Sequence, residues 1–463
     1  MCNPFALIYG KETTMKKITG MIISLCVLLT ATACNADKTE ESSSTTSASQ
    51  TTSATQIEQT SSTETTVQTE QTEQTEDIVP EVVPSETETQ ILNISRKYVY
   101  QYEWIDGNVE PIVICEGSAV ILNEEDAERY PELAKALSDS ADYQEIYINE
   151  EYAGLKDQAL ASEGTDTLVS TMDMQVRRAD SAVVSVLYDS YLYNGMNEGS
   201  RGFGGAVYDT ATGKTLHLPD VVTDIDAFAK TVEDQLFGTV GADMFYRDDI
   251  IKEYFEMYGA DGTHWTLDYN GITMYFDEGE IADRGFGAMS VTITFAEHPE
   301  LFNEKYTEVP EAYIVSLPMK SAFYTDLDGN GSCEELTIYD RYDEENVYSA
   351  TVDICTADDM YTESLWAYGC EPCYVKTADG KHYLYLFTEL ETQMYLYVYD
   401  ITNGTVSKAG ESNVAPYYND GISAVPTDPD SMHFDIFGDG AGGGISDMND
   451  IFTVGADGMP AQG

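Results

Sequence analysis

The stretch WTLDYNGITMYF, Trp265 to Phe276, decides the fold class, because two apolar runs flank Asn270-Gly271. Asn-Gly between such runs is the strongest short hairpin signal, since both residues tolerate the positive φ that a tight antiparallel connection needs. Immediately upstream the period changes. Phe228, Val232 and Leu236 form one helical stripe, and Ile250, Ile251, Tyr254, Phe255 and Tyr258 form another, which Gly259 stops. Downstream, Val291, Ile293 and Phe295 alternate as a strand. Helices and antiparallel strands mix without one helix per strand, and this predicts an α+β domain.

The same reading extends towards the N-terminus. Val183 to Tyr193 alternates like a long strand, and DTATGK (Asp209 to Lys214) reads as a turn into a second strand, Thr215 to Leu218. From Glu124 the pattern is helical: Pro131 suits a first turn, Leu133 and Leu137 share a face, and Ile148, Tyr152, Leu155 and Ala159 recur at helical spacing. Order starts near Ile91, where Tyr98, Tyr100 and Trp104 mark the first strand. Residues 91–317 therefore make the α+β domain. Beyond Leu317 the helical patterns stop. His382 to Phe387 and Met394 to Asp400 are short aromatic strands with Asp379-Gly380 and Asn403-Gly404 as turns, so 318–463 reads as a second, mainly β domain.

The first ninety residues are of another kind. Met15-Lys16-Lys17, the apolar run Ile18 to Leu29 and the small residues Thr30 to Ala33 before Cys34 have the layout of a secretory signal, with Met15 as the expected start. Small residues running into Cys34 resemble a lipobox, which implies a diacylglycerol anchor on that thiol; the alternative is plain secretion with Cys34 incidental. From Asn35 to Gln90 no aromatic residue occurs and Ser, Thr, Glu and Gln dominate, a composition that cannot offset the entropy of ordering its backbone. As a coil this tether spans roughly 40 Å. The expectation is an extracellular protein held to the cell membrane through its lipid.

The chain has 463 residues and a formal net charge of -59. That balance excludes nucleic acid, since nothing could neutralise a phosphate backbone. It suits solubility, and it suits partners that are cations. Asp326-Leu327-Asp328-Gly329-Asn330-Gly331-Ser332-Cys333-Glu334-Glu335 places oxygen ligands at positions one, three and five and glycine at six, the calcium-loop pattern. Thr337 replaces the glutamate that the helix-loop-helix version needs at position twelve. The flanks look like strands, so Ca²⁺ would be held by Asp326, Asp328, Asn330, Glu334 and Glu335 in a loop between strands; a polar turn without an ion is the alternative.

Five cysteines fall in the folded part: Cys115, Cys333, Cys355, Cys370 and Cys373. An odd number leaves at least one free or paired between molecules. Cys370-Glu371-Pro372-Cys373 lies in a β context, which favours a local disulfide or two free thiols over redox catalysis at a helix N-terminus. The histidines are scattered, no nucleophile elbow occurs, and glycine-rich Gly438 to Gly444 lacks the ending of a phosphate loop. Acidic pairs such as Glu150-Glu151 and Asp248-Asp249 read as solvated helix faces. No catalytic constellation emerges, so a non-enzymatic protein is expected.

Arg178-Ala179-Asp180, the strand Tyr188 to Tyr193, Tyr208-Asp209 with Thr212-Gly213-Lys214, Leu216, Leu218 and Asp220 form one set of features. Together with Trp265 to Phe276, Gly287-Ala288 and Val291 to Ile293, they resemble the domain-of-unknown-function family that forms the extracellular half of RsiV-type anti-sigma factors. The likeness spans roughly residues 98–302 and is structural rather than catalytic. It implies a ligand-binding extracellular module. In anti-sigma members the ligand is lysozyme, a basic protein that an acidic domain could attract. The segment Asn194 to Gly199 departs from the family in carrying no histidine, and neither a spanning helix nor a cytoplasmic domain is evident. The expected function is thus a lipid-anchored binding or sensing module of the bacterial envelope, whose ligand is a cationic protein such as lysozyme or a wall component. A peptidoglycan hydrolase or deacetylase with an unrecognised carboxylate site and an envelope assembly factor are the rivals.

Overall fold

The computed structural model describes residues 89–105, 107, 110–162, 166–196, 199–260, 262–343, 346–389, 394–436 and 450–463. The signal, Cys34, nearly all of the tether, Asn197 and Glu198, and Gly438 to Gly444 lie outside the described residues.

A seven-stranded sheet organises the first half. It contains β1 (Ile94–Glu103), β2 (Val113–Leu122), β3 (Leu168–Ala179), β4 (Val183–Tyr193) and β5 (Ser200–Asp209). Neighbours are antiparallel except β2 and β3, which run parallel because α1 (Glu124–Arg129) and α2 (Pro131–Ala161) carry the chain back between them. Asn123 caps α1 by accepting from the Asp126 N–H, and Pro131 opens α2. Leu133, Leu137, Ile148 and Leu155 point from α2 into the sheet. Gly117 permits this approach, since a Cβ there would lie 2.7 Å from Ile148 Cγ1. Residues Lys97, Gln101 and Glu103 of β1 meet Glu145, Asn149 and Tyr152 of α2, so the even-numbered residues of β1 face the side that α2 leaves uncovered.

The expected strand Thr215 to Leu218 is not a strand. Asp209 accepts from the Thr212 N–H and hydroxyl, which tightens the turn. Thr215 then makes one bridge to Tyr208, and Leu218–Val221 forms a short helix, α3, with Pro219 in its first turn. Helices α4 (Ile225–Val240) and α5 (Ile250–Tyr258) pack on a three-stranded sheet of β6 (His264–Leu267), β7 (Gly271–Phe276) and β8 (Met289–Thr294). Phe228, Val232, Ile251, Ile272, Met274 and Ile293 form the centre of this core.

The predicted hairpin is present with a different turn. Asp268 N–H donates to Gly271 C=O at 2.8 Å, so Asp268 to Asn270 form the loop and Gly271 begins the strand. Glycine is required there because a Cβ would lie 2.2 Å from the Ile293 carbonyl oxygen.

Among the described residues the second half is sheet apart from a short helical turn at Thr402–Gly404. β10 (Phe323–Thr325), β11 (Glu334–Asp343), β12 (Asn346–Thr356) and β13 (Met360–Trp366) form one layer. A five-stranded layer follows, from β9 (Tyr313–Ser316), β14 (Gly369–Lys376), β15 (His382–Glu389), β16 (Met394–Asp400) and β17 (Ser407–Ser412). A third layer holds β18 (Val414–Pro416), β21 (Met432–Ile436), β22 (Ile451–Val454) and β23 (Pro460–Gln462). Val315, Leu336, Ile354, Tyr374 and Leu386 fill one interlayer space; Ile314, Val375, Tyr385, Val398 and Phe434 fill the other.

The division read at 317/318 is crossed in both directions. β9 joins the five-stranded layer, while β19 (Tyr418–Asn419) and β20 (Ile422–Val425) return to the seven-stranded sheet, where Ile94 pairs with Val425. Helices are few and the sheets are mainly antiparallel, so the α+β class holds coarsely in a mostly β molecule. Among the described residues no helix is long and apolar enough to cross a membrane.

Two buried arginines tie β3 to the segments packed against it, and Arg177 joins the two halves. A bulge between Val176 and Arg178 turns adjacent side chains of β3 inward. Arg177 forks onto Asp268 at 3.0 and 2.7 Å and donates to Ser316 C=O at 2.8 Å. Arg178 donates to Asp180 at 2.7 Å and to the carbonyls of Tyr306 and Glu308.

Candidate functional site

Two polar constellations stand out. The first is on the face of the seven-stranded sheet opposite α2, at its β1–β3 side. Period-two alternation along β1 puts Arg96, Tyr98, Tyr100 and Tyr102 in one row, and β2 sets Ser118 opposite Tyr98 and Glu116 opposite Tyr100. The three tyrosine rings lie nearly parallel, with centroids 5.8 and 6.4 Å apart. Glu116 is buried and accepts a short hydrogen bond from the Tyr102 hydroxyl. Burial pushes its carboxyl up from the ordinary range, and the nearby Asp173 adds to the rise. Ser118 donates to Asp173 at 2.6 Å. Arg96 Nη1 lies 3.7 Å from Asp173 and 3.6 Å from Glu371 of β14, and it donates to Tyr98 Oη at 3.3 Å. Its Nε has no partner among the described residues. Asp189 and Arg201 pair further along the same face. The result is an aromatic row bordered by more carboxylates than cations. The alternation at Tyr98 and Tyr100 was legible, whereas the placement of Arg96, Glu116, Asp173 and Glu371 beside it depends on strand pairing.

The second constellation is the acidic loop between β10 and β11. Asp326, Asp328 and Glu334 bring carboxylate oxygens within 4.8 Å of one another. Asp326 accepts from the Asn330 and Gly331 N–H groups, Asp328 from the Asn330 N–H and side-chain amide, and Glu334 from the Leu327 N–H at 2.7 Å. Gly329 and Gly331 have φ of 74° and 92°, which only glycine adopts freely. Asn330 sits in the loop, with its Oδ1 turned to the Ser332 N–H. Glu335 departs from the expected set: alternation along β11 sends it to the other face, where it accepts from Thr337 and Tyr324. Buried Leu327 anchors the loop in the interlayer core. An all-oxygen set of three carboxylates suits a hard divalent cation such as Ca²⁺.

The Cys370–Cys373 pair does not form the local disulfide. Both lie on β14, where a three-residue offset puts side chains on opposite faces and the Cα atoms about 10 Å apart, beyond the roughly 7 Å a disulfide spans. Cys370 packs against one interlayer core and Cys373 lies within the other. All five cysteines of the folded part are free, and burial pushes the Cys370 and Cys373 thiols up to about 12. Such thiols are poor nucleophiles.

One further cluster escaped the sequence. The Asp277 carboxylate accepts from the Phe203 N–H of β5 at 2.8 Å, and Glu280 accepts from the Asp277 N–H at 2.9 Å. Burial raises both carboxyls, Glu280 to about 7, and lowers His264 beside them.

No family model matches this chain, and no curated protein matches it. Among solved structures it is similar to a DUF3298 family protein from Pseudomonas aeruginosa PAO1, with 17% identity and a TM-score of 0.35, covering 47% of this chain and 97% of that one. It is also similar to a member of the same family from Bacteroides fragilis NCTC 9343, with 15% identity and a TM-score of 0.34, covering 47% and 96%.

Proposed function

We infer that the protein is a lipid-anchored binding or sensing module on the outer face of a bacterial cell membrane, and that it recognises its ligand without turnover. The observation that carries this is the Tyr98–Tyr100–Tyr102 row with Glu116, Asp173 and Glu371 beside it. Tyrosine gives contact area at low entropy cost, and the carboxylates select a cationic or hydrogen-bonding surface. A net charge of -59 steers such a partner towards the chain. A basic protein such as lysozyme and a wall glycopeptide are the two ligand classes that fit. Cys34 and the stretch after it would supply the anchor and the reach.

The acidic loop adds a Ca²⁺ site formed by Asp326, Asp328 and Glu334, with Asn330 in support. Bound calcium would neutralise converging carboxylates and stiffen the β10–β11 connection. At a hundredfold excess over its Kd it would stabilise the fold by about 2.7 kcal/mol, a gain that Asp328→Ala removes.

Calorimetry on the full chain tests the reading, with lysozyme and then wall fragments titrated at about 150 mM salt, where exposed charges are largely screened. Saturable binding that Asp173→Asn weakens at least tenfold is the expected result. Binding that disappears with salt, or that ignores Asp173→Asn, would remove this face from the mechanism.

A further inference from the structure

The outer strand β13 differs from the sheet edges at β5 and β17. At β5 the Phe203 N–H is occupied by Asp277, and β17 is polar, carries Lys408 and pairs with β16 through a bulge. β13 pairs with β12 in unbroken register, contains neither proline nor lysine, and has no strand on its other side among the described residues. Met360 and Trp366 at its two ends are 66% and 62% exposed.

The direction of its backbone groups follows from the preceding hairpin. Thr356 N–H donates to Asp359 C=O at 2.9 Å, which makes these two a hydrogen-bonded pair. Alternation from there turns the N–H and C=O groups of Met360, Thr362, Ser364 and Trp366 away from β12. The Met360 N–H accordingly bonds to the Asp359 carboxylate at 2.9 Å rather than to β12. The same four residues also carry the exposed side chains.

We propose that β13 is a self-association edge, on which a second copy of this chain pairs antiparallel about a twofold axis through Glu363. In that register Thr362 faces Ser364 of the second copy and Met360 faces Trp366, each contact occurring twice, as an isologous interface requires. Thr362 and Ser364 exchange backbone hydrogen bonds. The Trp366 N–H donates to the Met360 carbonyl, whose own N–H keeps its bond to Asp359. The thioether of Met360 lies against the indole, a favourable contact between soft sulfur and an aromatic ring. Glu363 at the axis does not repel its mate, because it faces inward onto Lys408 at 2.8 Å and accepts from the Tyr399 hydroxyl. The two four-stranded layers become one continuous sheet. This pairing is independent of any ligand on the tyrosine row.

Light scattering coupled to size exclusion on the full chain, across a concentration series, tests the pairing. Thr362→Pro deletes a donor that serves only the free edge, where proline is tolerated, and Trp366→Lys leaves the backbone intact while charging the apolar contact. Twice the 51.1 kDa chain mass is expected for the native protein, falling twofold in each variant at unchanged circular dichroism. A single-chain mass at every concentration overturns the proposal, as does a doubled mass that either variant leaves intact.

Discussion

Arg177 and Arg96 are both buried in the same sheet, one on β3 and the other on β1, yet they are solvated in opposite ways. Arg177 is 1% exposed, and the fork onto Asp268 and the bond to Ser316 use all its nitrogens against groups that are themselves buried. Arg96 is 6% exposed, but Asp173 and Glu371 have side chains 39% and 62% exposed, stand beyond 3.5 Å, and leave Nε unused. The first arrangement is closed and specifies how the halves of the molecule dock. The second is open on its acidic side, and a polar network with capacity left over is where a ligand can add bonds. Burial alone does not separate a saturated arginine site from one with bonding capacity left; the exposure of its partners does.

Removing the guanidinium from each site should break or sharpen this contrast. Arg177→Met leaves Asp268 charged and without water, so urea unfolding should show a loss of about 3–5 kcal/mol. Arg96→Met leaves carboxylates that water can reach, and the loss should be nearer 1 kcal/mol, with ligand affinity changed more than stability. Equal losses would end the distinction. The smallest effect concerns Glu280, a half-buried carboxyl beside the Asp277 carboxylate. Its folded pKa is raised to about 7, so the folded state holds a proton that the unfolded chain releases near 4.3. Its contribution is present below that lower value and is lost as pH rises towards 7. Glu280→Gln should therefore gain roughly 1 kcal/mol over the native chain at pH 8, after allowance for solvent screening, and nothing at pH 4; comparing thermal midpoints at the two values checks the sign. The comparison is with the native chain because Asp277 shifts in the same direction and His264 in the opposite one.

Periodicity made much of this molecule legible. The stripes at Phe228–Leu236 and Ile250–Tyr258 and the helix from Pro131 appear as read, because each buries one face, and the strand Val183 to Tyr193 appears with its first five residues buried on both faces. The acidic loop was also legible as a cluster of carboxylates, since Asp326, Asp328 and Glu334 lie within a few residues and converge through a turn, not through distant pairing. What was not legible depends on register. Glu335 follows Glu334 directly, yet alternation separates them; Cys370 and Cys373 look like a pair, yet an extended strand holds them apart. The tyrosine row acquires its carboxylates from β2, β3 and β14, and β14 is far away in sequence.

The return of β20 to β1 sets the timetable of folding. Ile94 pairs with Val425, and the Thr427 hydroxyl donates to Leu92 C=O across 335 residues. Contacts so distant along the chain are slow to form, because the entropy of closing the intervening loop is lost before any bond compensates for it. A nascent chain that has reached residue 317 already holds every residue of the first helical layer, while β1 still has one side open. Final assembly waits for nearly the last segment to be made, and until then the exposed side of β1 is the place where a protecting chaperone would act.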